Sequence, residues 1–293
     1  MDDEIYEISS ELYEEYDYSS NSKPIVNSKN VVSKFLFKLP NYSIEDKEGD
    51  MLVPRKKSDN EFIELGRYKD IPHLCLDKIV NISEHSYCTT LNMVGLQIWR
   101  GALLLADWLL HNGKAFTKDE YILELGTGVG LTSIVASMFS PVICTDIDRG
   151  DIFKIIRANV DRNKHFSKYP VDVLELDFMS QNLSERIVSL LPKINTVIAA
   201  DVVYDDSLTE AFVKTVQKLL DIPPKRSILI ALEKRYVFTI SDCDTCAPCY
   251  DYFLEKLKIL KNVSIEEITT DFPQYFKYDR CKELVLWKIT SKL

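Results

Sequence analysis

The chain has 293 residues, a formal net charge of −9, a pI near 5.1 and 46% hydrophobic residues, enough for one large core or one domain with an appendage. The acidic balance argues against sequence-independent nucleic-acid binding, which rests on clustered Lys and Arg, and leans toward a basic partner. No apolar run reaches the roughly 20 residues of a bilayer-crossing helix. The opening MDDEIYEISSELYEEYDYSS lacks the basic and apolar regions of a secretory signal. Seven scattered cysteines fit reduced thiols better than a disulfide framework, so the expected location is intracellular, in nucleus or cytosol, and the expected state monomeric.

In chain order, residues 1–30 read as an acidic, disordered tail, because like charges repel and little apolar surface is available to bury. Residues 31–91 read as an extension: VVSKFLFKL as a strand, NYSIEDKEGDMLVPRKKSDNE as a polar linker with Arg55, Lys56 and Lys57 in a loop, and Phe62 to Leu91 as strands or a hairpin. Residues 92–293 are the main domain. GLQIWRGALLLADWLLHNG is an apolar-periodic helix with a glycine stop. Strands follow at Tyr121–Leu125, Val142–Thr145, Val171–Leu176, Thr196–Ala200 and Ser227–Leu232, separated by helices at Leu131–Phe139, Asp151–Asn163, Leu183–Leu191 and Ser207–Leu220. Such alternation predicts an α/β fold with a mainly parallel sheet covered on both faces. After helix Tyr250–Leu260, VSIEEIT and KELVLWKI have no helix between them, so an antiparallel hairpin brings the sheet to seven strands. That is the Rossmann-like plan of S-adenosyl-L-methionine (SAM)-dependent methyltransferases.

The most specific segment is YILELGTGVG, an apolar strand that ends in an acid and glycines and feeds a helix. Glycine lets the backbone turn sharply and approach a ligand where a Cβ would intrude. A dinucleotide turn spaces its glycines G-x-G-x-x-G, whereas Gly126, Gly128 and Gly130 run G-x-G-x-G and Leu131 occupies the last dinucleotide position. Glu124 would repel a pyrophosphate but suits SAM, which has no phosphate and carries an ammonium and a sulfonium. Asp146, about twenty residues on, can accept the ribose hydroxyls of either cofactor. The turn therefore favours SAM, with a nicotinamide-binding oxidoreductase as the rival.

Ligands in such sheets bind at the carboxyl ends of the strands. Asp177 and Phe178 end the third strand and could serve an adenine as acceptor and flat apolar face; equally they could be a polar loop and a core aromatic. Asp201 and Tyr204, in ADVVYDD after the fourth strand, could orient an amine or merely cap a loop. Val202 and Val203 cannot form the Pro-Pro-aromatic clamp of base-amine methylation. Cys243, Cys246 and Cys249 form CxxCxxC, but no paired knuckle or nearby histidine completes a zinc set, so no metal is expected. Trp99 and Arg100 begin the helix before the glycine turn, where a tryptophan serves core or cofactor.

Together, IWRGALLLADWLL, ILELGTGVGLTSIVAS, VICTD, ELDF, AADVVYDD, LEKRYVFTI and LVLWKI resemble the methyltransferase-like protein-lysine methyltransferases, over Leu91 to Ile289. The resemblance implies methyl transfer from SAM to a lysine of a protein substrate. It implies that Trp99 contacts the cofactor, that Gly126, Thr127 and Gly128 lie beneath its methionine part, that Asp146 holds the ribose, and that Phe178 and Ala200 touch the adenine side. The family usually has tryptophan at the Phe178 position and alanine at Thr127; its D-x-x-Y motif stands as Asp201 to Tyr204. An RNA or metabolite methyltransferase, or a silent SAM-binding scaffold, remains open at this point.

Overall fold

The computed structural model describes residues 9–12, 23–24, 30–32, 35–40, 52–56, 63–67, 77–80, 85–86, 91–165, 167–239 and 244–292. The main domain is a seven-stranded sheet built from β1 (Tyr121–Leu125), β2 (Val142–Asp146), β3 (Val171–Glu175), β4 (Ile194–Ala200), β5 (Ser227–Glu233), β6 (Val263–Ile268) and β7 (Leu284–Ser291). Its spatial order is β3-β2-β1-β4-β5-β7-β6. The first five strands are parallel, β7 runs antiparallel to β5, and β6 antiparallel to β7. Chain order reverses between β1 and β4, which places a crevice at their carboxyl ends.

The helices are α1 (Arg100–His111), α2 (Leu131–Ala136), α3 (Ile152–Arg162), α4 (Glu185–Leu190), α5 (Asp206–Asp221) and α6 (Pro248–Leu257). Side-chain alternation along the strands separates two cores. Ile122, Val142, Ile198 and Leu229 pack with Leu103, Ile134 and Ile155 from α1, α2 and α3. Leu123, Ile143, Val197 and Ile228 pack with Ile187, Phe212 and Phe253 from α4, α5 and α6. Both faces are therefore covered, which is why the central strands read as nearly continuous apolar runs.

Two buried charges fasten this frame. Arg226, 1% exposed, donates to the carbonyls of Leu219 and Ile222 at the end of α5 and to that of Leu191. A cation suits the negative end of a helix, where the last carbonyls lack intrahelical donors. Asp107 on α1 accepts hydrogen bonds from the backbone N–H groups of Tyr275 and Phe276, the Tyr278 hydroxyl and Arg280, which pins the chain between β6 and β7 onto α1. Phe276 then bridges to Phe37, their rings stacked 4.9 Å apart.

Phe37 belongs to the extension, where Phe35–Lys38 pairs antiparallel with Asp77–Val80. Two sequence expectations change here. Leu52–Lys56 is a strand paired with Ile63–Arg67, so Arg55 and Lys56 lie in a hairpin arm instead of a linker loop; a neighbouring extended segment supplies the ladder partners that the polar run could not reveal. The tail reading fails for residues 9–12, which are packed: Leu12 is fully buried in the first core and the Ser10 N–H donates to Gln97 Oε1. The rest of the first twenty-two residues lies outside the described set.

Candidate functional site

A cavity of about 280 Å³ lies at the carboxyl ends of the strands, and Trp99, Glu124, Gly126, Thr127, Gly128, Asp146, Asp177, Phe178, Ala200, Asp201 and Tyr204 all line it. The glycine turn forms its floor. Gly126 and Gly128 have φ of +65° and +56°, and a Cβ on Gly128 would come within 2.9 Å of the Gly95 carbonyl oxygen. A side chain at that position would be both strained and obstructed.

Glu124 is fully buried beside the turn. Its Oε2 accepts hydrogen bonds from Thr127 Oγ1, at 2.6 Å, and from Ser133, while its Oε1 is buried without a hydrogen-bond partner. Burial pushes the carboxyl up to about 7, against the pull of the Ser133, Thr127 and Thr132 hydroxyls. A buried carboxylate oxygen left without a donor is costly unless a ligand supplies one. Asp146 takes a backbone donor on each oxygen, Gly128 N–H on Oδ2 and Ile147 N–H on Oδ1, both at 2.8 Å, and burial raises it to about 6. The remaining lone pairs of both oxygens are available for hydroxyl donors.

At the third strand end, Phe178 is 8% exposed and tilted against Phe212 at 5.3 Å between centroids. It is a core aromatic and a cavity wall at once. Asp177 turns its Oδ1 to the Met179 N–H at 2.8 Å. Trp99 donates its indole N–H to the Val94 carbonyl, and the Arg235 guanidinium lies 4.5 Å from its ring centre.

Asp201, weighed for an amine-orienting role, lies on the cavity wall and holds two backbone donors. Its Oδ2 accepts the Gly101 N–H at 2.6 Å and its Oδ1 the Glu233 N–H at 3.1 Å. Gly101 is the second residue of α1, so Asp201 caps that helix from another strand, satisfying an orphan donor where Trp99, at the cap position, offers none. This explains why regular helix begins at Arg100 although the apolar period starts at Gly95; Leu91–Leu96 is a 3₁₀ segment. It also explains Gly101, where any Cβ would collide with the Asp201 carboxylate. Asp201 has φ +50°, a sparsely populated conformation that bends the chain away from β4. Burial raises its carboxyl, and Arg235 opposes this. Tyr204 is pushed up to about 12 by burial and by Asp146, which keeps its hydroxyl protonated.

A family model described as lysine methyltransferase matches residues 78–244. The chain belongs to the lysine methyltransferase family. It is similar to methyltransferase-like protein 22 of Mus musculus, 34% identical over an alignment of 286 residues that covers 83% of this chain and 72% of that one. To the Homo sapiens protein of the same name it is 34% identical, with coverage of 71% and 57%, and to the protein-lysine N-methyltransferase EEF2KMT of Mus musculus 30% identical, with coverage of 72% and 62%. Likeness to solved structures is loose: a SAM-dependent methyltransferase from Aquifex aeolicus gives 14% identity and a TM-score of 0.40, covering 66% of this chain and 91% of that one. As a lysine methyltransferase the protein takes its methyl group from SAM, and the free Glu124 oxygen and the glycine floor fit that cofactor.

Several cavity residues of this methyltransferase were not legible in the sequence. Met93 and Gly95 come from the 3₁₀ segment and Gln97 from the bend that follows it. Arg235, in the LEKR run, reaches Trp99 only through folding, and it lines a neighbouring cavity with Glu233, the residue that ends the fifth strand. Of CxxCxxC, Cys243 lies outside the described residues and Cys249 is a free thiol. Among the described residues no His, Cys, Asp and Glu cluster is arranged to hold a metal, and no helix is long and apolar enough to cross a membrane.

Proposed function

We propose that this cavity holds SAM and presents its methyl group to the ε-amine of a lysine on a basic protein substrate, in nucleus or cytosol. The observation that carries the reading is Glu124 Oε1, a buried acceptor without a donor on the cavity wall. The ammonium of SAM supplies that donor, whereas a pyrophosphate would be repelled. Asp146 would hold the ribose hydroxyls, Asp177 and Phe178 the adenine, and Trp99, Gly126, Thr127, Gly128 and Ala200 would shape the remaining walls. The net charge of −9 supports a basic substrate through long-range attraction.

Bound SAM supplies an electrophilic methyl on a positive sulfur. The protein must deliver a neutral lysine amine to it. With a free pKa near 10.4, keeping that amine neutral near pH 7 costs about 4.6 kcal/mol unless the surroundings favour the neutral form. Burial near Arg235 does so, by desolvation and by like charge. Tyr204 keeps its hydroxyl at this pH and offers a hydrogen bond without adding charge. Asp201 acts as a positioning residue, fixing the start of α1 and the end of β5 through the Gly101 and Glu233 N–H groups.

Calorimetry with SAM and with NADH separates this reading from a nicotinamide enzyme. Incubation with methyl-labelled SAM and extract from cells lacking the protein, followed by acid hydrolysis, should yield labelled methyllysine. NADH binding without SAM binding, or label recovered only in RNA or small molecules, would refute the proposal.

A further inference from the structure

A second cavity, of about 220 Å³, meets the first at Tyr204, which lines both. Its apolar walls are Val203, Leu232, Val237, Pro248 and Tyr250, and its polar lining is Glu233, Arg235 and Cys249. The Glu233 side chain is 9% exposed. Its Oε1 accepts from Arg100 Nη1 at 2.5 Å, while its Oε2 is buried without a hydrogen-bond partner, 3.9 Å from Arg235 Nη2. Arg235 is drawn elsewhere: its Nη1 is 3.0 Å from Glu11 Oε1 and its guanidinium lies over Trp99.

We propose that this second cavity receives the acceptor lysine, its methylenes against the apolar walls and its ε-nitrogen donating a hydrogen bond to Glu233 Oε2, so that the nitrogen reaches the methyl group past Tyr204. The inference rests on the first cavity holding SAM. It gives the substrate contact to Glu233 in place of Asp201, whose carboxylate ties the start of α1 to the end of β5. Further acids draw a cation here: Asp205 and Asp206 act with burial to raise the Cys249 thiol. Opposed to them are Arg235 and Lys234, whose ammonium lies 5.0 Å from the centre of the Tyr250 ring. Burial likewise lifts the Glu233 carboxyl, against Arg235, as expected for an acid desolvated toward a site instead of open water.

The chemistry balances without a further reagent. The lysine ammonium gives one proton to water on entry. The nitrogen lone pair then forms the N–C bond as the C–S bond breaks, the bonding pair stays on sulfur, and the methylated ammonium later releases its extra proton to solvent.

Sinefungin carries an amine where SAM carries its methylsulfonium, so N-butyl sinefungin extends a lysine-like chain from the reacting position. Calorimetry on the full chain would use S-adenosylhomocysteine (SAH), sinefungin and N-butyl sinefungin. The butyl chain should tighten binding about tenfold over sinefungin by burying methylenes. Cys249→Tyr, which fills the second cavity, should abolish that gain while SAH affinity stays within about twofold. Glu233→Gln should weaken N-butyl sinefungin about tenfold, with SAH unchanged, and Arg100→Met, which removes the other partner of Glu233, should weaken it less. SAH binding with no butyl gain overturns this inference alone. So does a gain that survives both Cys249→Tyr and Glu233→Gln, or an Arg100→Met loss equal to that of Glu233→Gln, which would mark Glu233 as a mere support. Absence of SAH binding would overturn the cofactor reading and this inference with it.

Discussion

At the carboxyl ends of β1 and β2, Glu124 and Asp146 each keep acceptor capacity toward the cavity after their hydroxyl and backbone donors are counted. At the end of β4, Asp201 has one backbone donor on each oxygen and ties a helix to a strand. All three are acids at strand ends whose carboxyls are raised by desolvation, so neither position nor titration separates them. The partners do. An acid whose two donors tie distant elements together is part of the frame; Asp146 has as many backbone donors, but they come from the glycine turn and from its own next residue, and Glu124 keeps an orphan oxygen.

The sharpest way to break that contrast is Asp201→Ala. Two backbone donors would lose a charged acceptor, so the expected cost is about 4 kcal/mol of stability, read by denaturant unfolding. Asp201→Asn, which keeps one acceptor oxygen, should lose less. An alanine variant of wild-type stability would show that Asp201 does not hold the frame.

Next in size is Leu12→Ala. Leu12 is fully buried beside the Glu11–Arg235 pair, and its truncation should cost about 3 kcal/mol. Because that pair lies on the acceptor side, methyl transfer should fall while SAH affinity, per folded molecule, is unchanged. A loss of SAH affinity instead would mean that the two sides are not separable.

On the cofactor side, Glu124→Gln should weaken SAH about tenfold near pH 7.5, the order of one pKa unit. In the wild type, Glu124 titrates near 7 without ligand, and a ligand ammonium favours the ionised form. SAH affinity should therefore fall about eightfold between about pH 7.5 and about pH 6. Glu124→Gln should flatten that stretch, leaving the decline below about 6 to Asp146. Stability of the ligand-free protein runs the other way. With a folded pKa above the unfolded one, this group's contribution is full below its ordinary pKa and is lost as pH rises through 7. A pH-independent SAH affinity in the wild type would remove Glu124 from the ammonium contact.

The smallest expected effect belongs to Thr127→Ala, the residue usual in the family. It removes one hydroxyl from Glu124 Oε2 and should cost about threefold in SAH affinity by calorimetry, within the range of one neutral hydrogen bond. A loss beyond that of Glu124→Gln would place Thr127 itself against the ligand.

Where elements are long and periodic, the sequence and the folded chain agree closely: strands 121–125, 142–146 and 227–233 differ from expectation by a residue at most. The start of α1 does not, because its cap, Asp201, is a hundred residues away and no local pattern can show a donor satisfied from another strand. Leu12 is invisible for a like reason. A single apolar residue in an acidic run has no period, and only the shape of the core decides that it is buried.

By itself the sequence determined the α/β alternation, the seven strands and the glycine turn, because strand and helix periods and glycine's steric freedom act over a few residues. Tertiary structure alone decided which acids are frame and which are surface. That depends on which donors arrive from distant segments: Gly101 N–H at Asp201, Arg100 at Glu233, and no hydrogen-bond donor at Glu124 Oε1.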